Sequence, residues 1–319
     1  MSDILIKTEG LKKYFKVPNG WLHAVDGVDL EIKRGKTLGV VGESGCGKST
    51  LGRAILRLHE PTDGKVYFEG EDILQYRGAK MDKLRPNMQI IFQDPYSSLN
   101  PRMTVQELIA EPLIINKVYK TKSEVYQRVA ELMEIVGLAE RLASAYPHEL
   151  DGGRRQRIGV AHALALSPKF IVCDEPVSAL DVSIQAQILN LLMDLQEEFG
   201  LTYMFITHDL SVVKHISDEI MVMYMGVCVE RAPSNELFSN PIHPYTKALL
   251  SAIPIPDIDR RHKPVDVIKG EVTNPVNPKP GCRFAPRCPH CTDACLQKSP
   301  ELREVSPDHF VACAHMGSI

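Results

Sequence analysis

Three apolar runs punctuate the chain: "KTLGVVG" (residues 36–42), "KFIVCDEP" (169–176) and "LTYMFITHD" (201–209). Short apolar runs without alternation predict strands buried on both faces, and Pro176 stops the second. Between the second and third, Ile184, Ile188, Leu191, Leu192, Leu195 and Phe199 recur at the spacing of an amphipathic helix. The first run leads into a glycine-rich turn and then "KSTLGRAILRL", another helical pattern. Strand, helix, strand in this order predicts a parallel α/β sheet with right-handed crossovers. From about 95 to 167 the pattern is mostly helical, with Val125, Val129, Leu132, Met133 and Val136 on one apolar face. That stretch is expected to be a helical insert in the α/β core.

From about residue 240 the pattern changes. "NPIHPYTKALLSAIPIPDIDR" and "TNPVNPKPG" are rich in proline. The first is expected to hold a short helix at 243–252, the second an extended linker. No internal repeat or low-complexity tract is visible. The longest apolar run, residues 220–229, is well short of the roughly twenty residues of a membrane span.

Composition narrows this only a little. The 319 residues are 44% hydrophobic and 24% charged, with a formal net charge of -3. The length predicts one large domain with an appendage, or two domains. The charge excludes a polyanion binder by bulk electrostatics. The opening "MSDILIKTEG" has no basic segment followed by an apolar one, so no secretory signal is expected. A cytosolic chain keeps its thiols reduced.

The glycine-rich turn carries the first chemistry. Gly42, Glu43, Ser44, Gly45, Cys46, Gly47, Lys48 and Ser49 fit G-x-x-x-x-G-K-[ST], placed after a strand and before a helix as that mechanism requires. Glycines turn successive N–H groups toward a phosphate, and the helix N-terminus adds partial positive charge. Lys48 would reach the β- and γ-phosphates and Ser49 would ligate Mg²⁺, with Thr50 beside it. Asp174 and Glu175 end the second strand. Two adjacent carboxylates there call for a cation or polarised water. Asp174 would hold Mg²⁺, and Glu175 would orient or deprotonate the attacking water.

Across nearly its whole length the chain resembles the ATP-binding subunit of an ABC transporter. "GESGCGKS" matches Walker A, "FIVCDE" Walker B, "IIFQDP" the Q-loop, "SALD" the D-loop and "ITHD" the switch histidine. The resemblance implies an α/β P-loop NTPase with a RecA-like core, an antiparallel β subdomain and the helical insert. The nucleotide-binding domain would span 1–240 and a C-terminal extension 241–319. It further implies that Gln93 senses the γ-phosphate, contacts Mg²⁺ and meets the membrane subunits, that His208 is the switch, that Asp181 belongs to the D-loop, and that Phe15 stacks on adenine with Tyr14 as fallback. Two such ATPase chains, alike or different, would sandwich two ATP molecules head to tail.

The signature loop departs from the family's L-S-G-G-Q. It reads Leu150, Asp151, Gly152, Gly153, Arg154. An ionised Asp151 cannot donate to a γ-phosphate, and one unit-charge pair at about 4 Å costs roughly 4 kcal/mol at an effective dielectric of 20. Arg154 would offset part of this. Asp151 is also a good helix cap. The chain is therefore expected to supply the weaker half of a two-site heterodimer, hydrolysing at its own Walker A but capping the partner's nucleotide poorly.

The tail "GCRFAPRCP" after "NPIHPYTKALLSAIP" resembles the oligopeptide/dipeptide (and nickel) importer branch. There four cysteines recur, matching Cys282, Cys288, Cys295 and Cys313, with Cys291 extra. A [4Fe–4S] cluster is the expected occupant, with zinc and no metal as the alternatives. Arg283 and Arg287 would balance its charge, and the metal would staple a module poor in apolar residues. The expected role is ATP hydrolysis powering import of di- or oligopeptides at the cytoplasmic face of the membrane. Expected partners are two permease subunits and, indirectly, an extracellular or periplasmic peptide-binding protein. No nucleic-acid partner is expected, since no basic stripe appears. Nickel or another solute as cargo, or a soluble ABC ATPase free of any membrane, are the competing readings.

Overall fold

The computed structural model describes residues 3–253 and 275–315. Strands β1 (Ile4–Val17) and β2 (Gly20–Lys33) form a long antiparallel hairpin. Strand β3 (Thr37–Val41) runs into helix α1 (Lys48–Ile55), and β4 (Asp63–Phe68) and β5 (Glu71–Asp72) complete a first sheet of order β2-β1-β4-β5. Helix α2 (Ala79–Leu84) and strand β6 (Met88–Ile91) precede a wholly helical stretch: α3 (Pro95–Ser98), α4 (Val105–Ile115), α5 (Lys122–Ile135) and α6 (Gly152–Leu164). Then come β7 (Phe170–Asp174), α7 (Val182–Phe199), β8 (Thr202–Ile206), α8 (Leu210–Ile216), β9 (Glu219–Tyr224) and β10 (Val227–Pro233). Helices α9 (Ser234–Ser239), α10 (Pro244–Ser251) and α11 (Asp293–Gln297) lead to β11 (Arg303–Ser306) and β12 (His309–Val311).

The second sheet has the order β11-β12-β10-β9-β3-β8-β7-β6. Its five strands from β9 to β6 are parallel, and the other three join antiparallel. Every residue of β3, β7 and β8 is buried, as strands covered on both faces should be. Helices α4 and α5 begin at capping boxes built by Thr104 with Glu107 and Thr121 with Glu124, which satisfy first-turn N–H groups. The predicted face of α5 is buried from Val125 to Val136. On α7, Ile188, Leu192 and Leu195 are buried but Phe199, the last residue of the helix, is 45% exposed. The apolar run 220–229 folds as a tight hairpin of β9 and β10, not one continuous span. Among the described residues no helix is long and apolar enough to cross a membrane.

The tail is built onto the main sheet. Strand β12 pairs with β10. Tyr224, Tyr245 and Phe284 pack edge to face in a core that also holds Val41, Val222 and Leu237. Helix α10 starts at His243, whose ring accepts from the Tyr245 N–H. Residues 273 and 274 of the expected linker lie outside the described residues. From Pro275 onward the segment docks on β2, with hydrogen bonds from His23 N to Pro275 O at 3.1 Å and from Asn277 N to Trp21 O at 2.9 Å.

Candidate functional site

The turn after β3 is forced into shape by close backbone neighbours. Gly42 has φ 151°, and a Cβ there would lie 2.2 Å from the Met223 carbonyl oxygen; Gly47 has φ 106°, with the Ala24 carbonyl oxygen 2.0 Å from its would-be Cβ. Only glycine fits either place. Lys48, 4% exposed, curls back so that Nζ donates to Gly42 O at 2.8 Å and Glu43 O at 3.1 Å.

Over this loop opens a cavity of about 490 Å³. Of the sequence-predicted residues it gathers Phe15, Ser44, Gly45, Cys46, Gly47, Lys48, Ser49, Thr50, Gln93, Glu175 and His208. It adds Leu22, His23, Ala24, Gly226 and Pro275, which carry no signal of their own in the sequence. Tyr14, the fallback for Phe15, instead stacks on His23 with ring centroids 3.8 Å apart.

At the loop's far end Ser49 Oγ donates to Asp174 Oδ1 at 2.6 Å. Asp174 is 1% exposed, and Arg53 Nη2 reaches its second oxygen at 3.2 Å. A hydroxyl beside a carboxylate is the oxygen donor set of a hard divalent cation, so the residues fit Mg²⁺. Arg53 was not flagged by the motif. Its signal was the four-residue spacing from Ser49, which puts both on one face of α1. Glu175 Oε2 accepts from Gln93 Nε2 at 3.0 Å, and His208 Nδ1 stands 3.1 Å from the same oxygen. Two side chains from separate segments thus converge on the carboxylate of a third.

Other predicted residues lie elsewhere. Gly42, Glu43, Asp151, Gly152, Gly153, Arg154 and Asp181 do not line the cavity. Asp151 caps α6, accepting the Arg154 N–H at 2.8 Å, and Arg154 Nη1 lies 3.4 Å from its other oxygen. Asp181 caps α7 through the Ile184 N–H at 3.0 Å. The two caps are neighbours, since a Cβ on Gly153 would come 2.7 Å from Ile184 Cγ2.

The cysteine tail departs from expectation. Arg283 pairs with Asp26, and Arg287 with Glu43 of the loop; both guanidinium groups are already neutralised by protein carboxylates. Burial pushes the Asp26 carboxyl up, but hydrogen bonds from Tyr14 and His23 and the Arg283 charge outweigh it and hold the group below its usual range. Cys282, Cys288, Cys295 and Cys313 do share one small module, with Cys282 N donating to Cys295 O at 2.7 Å. Burial pushes the Cys282 thiol up to about 11 and raises Cys288 and Cys313. Cys295 Sγ faces His315 Nε2 at 3.4 Å, and Cys291 Sγ faces the Thr292 carbonyl. Among the described residues no three His, Cys, Asp or Glu side chains converge as metal ligands. The expected [4Fe–4S] cluster, and its zinc alternative, therefore have no support in this arrangement. The tail shares the core and sheet of the main body.

The family model described as "ABC transporter" matches residues 25–178, and "Oligopeptide/dipeptide transporter, C-terminal region" matches residues 229–295. The chain is 50% identical to the oligopeptide transport ATP-binding protein AppF of Bacillus subtilis, over 98% of this chain and 97% of that one. It is 54% identical to OppF of Salmonella typhimurium (95% and 90% covered) and 48% identical to the dipeptide transport protein DppF of Haemophilus influenzae (98% and 97%). Among solved structures, the dimeric ATP-binding cassette MJ0796 bound to ADP and Pi has a TM-score of 0.66 at 31% identity, covering 72% of this chain and 99% of that one. The cbiO1 protein of Clostridium perfringens gives 0.67 at 29%, covering 75% and 92%. With its phosphate loop, its convergent carboxylate site and such likeness over nearly its whole length, this chain belongs to the ABC transporter ATP-binding family, in the branch with the oligopeptide/dipeptide C-terminal region.

Proposed function

We propose that the chain binds and hydrolyses Mg-ATP to energise import of oligopeptides or dipeptides. The observation that carries the chemistry is the meeting of Gln93, Glu175 and His208 beside the phosphate loop. The loop N–H groups and Lys48 would grip the β- and γ-phosphates, and Phe15 would cover the adenine. Glu175 would orient or deprotonate the attacking water, with His208 and Gln93 fixing its carboxylate. Mg²⁺, held by Ser49 and Asp174 with Gln93, would neutralise developing phosphate charge. The caps at Asp151–Arg154 and Asp181 stand off the chain's own cavity, which supports their facing the nucleotide of a second ATPase chain. Residues 1–240 would form the nucleotide-binding unit and 241–319 its extension. Two permease subunits would bind it at the cytoplasmic face, and a peptide-binding protein would deliver cargo to them. The peptide cargo rests on the names of the relatives.

The test is uptake of a labelled di- or oligopeptide by cells whose only copy carries Glu175→Gln. Uptake should fall to background while the purified variant still binds ATP. Normal uptake with undiminished hydrolysis would overturn the reading.

A cluster at Cys282, Cys288, Cys295 and Cys313 is proposed on the branch resemblance alone, since the described side chains do not converge as ligands. Anaerobically purified protein should then contain iron and absorb near about 400 nm. Zinc alone, or no metal, would refute it.

A further inference from the structure

We propose that the C-terminal extension forms part of the nucleotide site, with Arg287 and Tyr245 positioning the phosphate loop through Glu43. The inference rests on the reading that this loop takes ATP. Glu43 does not face the cavity, yet it is gripped on three sides. Its N–H donates to the Tyr245 hydroxyl at 2.9 Å. Its carboxylate takes two bonds from Arg287, Nη1 to Oε2 at 2.8 Å and Nη2 to Oε1 at 3.1 Å. Its carbonyl holds the Lys48 ammonium at 3.1 Å. The group meant to grip phosphate therefore leans on the residue that the extension anchors.

The anchor is built, not a passing surface pair. The Arg287 side chain is 6% exposed and that of Glu43 24%. Arg287 also reaches the Tyr224 hydroxyl at 3.4 Å, and the Glu43 carboxylate pushes its proton affinity up. Tyr245 is fully buried against Tyr224 and Phe284. Bidentate, charge-assisted bonds fix direction as well as distance. A loop with three glycines in six residues (42–47) has much freedom to lose on binding. Fixing it beforehand lowers what the ligand must spend on ordering. Such an anchor supports ground state and transition state alike, so its loss should raise KM and leave kcat nearly unchanged.

The experiment measures the Kd for Mg-ATP of the full-length chain, and KM and kcat in the assembled transporter, for Arg287→Gln, Glu43→Gln, the double variant, Arg287→Lys and Tyr245→Phe. Arg287→Gln and Glu43→Gln should each weaken binding about tenfold. The double variant should be no worse than either alone, Arg287→Lys should recover part of the loss, and Tyr245→Phe should weaken binding independently. In all of them kcat at saturating ATP should stay within about twofold. Should Arg287→Gln misfold, Glu43→Gln carries the test with the extension intact. Wild-type affinity in both single variants, or additive losses in the double, would overturn the anchor. If the wild-type chain itself bound no Mg-ATP, the proposed function would fall instead.

Discussion

Glu175 occupies the left-handed region, φ 49°, right after a strand with no exposed residue. A non-glycine residue held there is strained, and such strain persists where the surroundings over-determine it. Here the backbone restraints are the bond from the Glu175 N–H to Ile206 O at 3.0 Å and the bonds that the Glu175 carbonyl accepts from the Ser178 N–H and hydroxyl. The identity of Glu175 was legible from the sequence, but its backbone state was not, since no pattern of residue types encodes a torsion imposed from elsewhere. Asp151 is the complementary case. Its capping role is now visible, and serine caps a helix about as well. Asp151→Ser should therefore leave the melting temperature almost unchanged while removing a negative charge from the loop we propose to face a partner's phosphates. ATP turnover by the assembled transporter should rise several-fold; an unchanged rate would make Asp151 a cap and nothing more.

Elements with one dominant burial regime could be read from the chain; elements with mixed surroundings could not. Strands β3, β7 and β8 stood out because every position is buried. The hairpin β1–β2 did not, since its register shifts at bulges such as the one between Thr8 and Leu11 interrupt the two-residue alternation that marks a one-sided strand. Helix α10 was legible from proline and its apolar positions, but its electrostatic anchor was not. Glu230, fully buried, accepts from the N–H groups of Ile242 and His243 and stands 2.8 Å from His309 Nε2. Burial lowers the pKa of His243 from 6.5 to about 4. Between those values the unfolded chain takes up a proton that the folded chain refuses, so stability falls as pH drops from about 6.5 toward 4. The loss at pH 5 from this residue should be about 2 kcal/mol. Urea unfolding at pH 7 and pH 5 checks it. His243→Asn, which keeps a capping side chain, should lose correspondingly less than the native chain over that interval, and equal losses would contradict the assignment.

At the scale of the whole molecule, the tail looked like a separate module in need of a metal staple because it is short, proline-rich and crowded with cysteine. Its apolar residues are few but well placed. Phe284 and Tyr245 complete a core begun by β3, β9 and β10, and β12 continues the sheet. Long-range pairs such as Arg287 with Glu43 and Arg283 with Asp26 span most of the chain, and a local reading of residue types has no access to them. The order of the phosphate loop, the acidic strand end and the histidine was legible precursor enough to place the cavity; the walls at Leu22, Gly226 and Pro275 were contributed by strand and tail packing alone. Everything rests on that cavity taking a nucleoside triphosphate. Titration calorimetry of the full-length chain with ATP and saturating magnesium tests this most directly. Saturable heat with about one nucleotide per chain, abolished by Lys48→Ala, is the predicted result. No heat from the native chain, or the same heat from the variant, would contradict it.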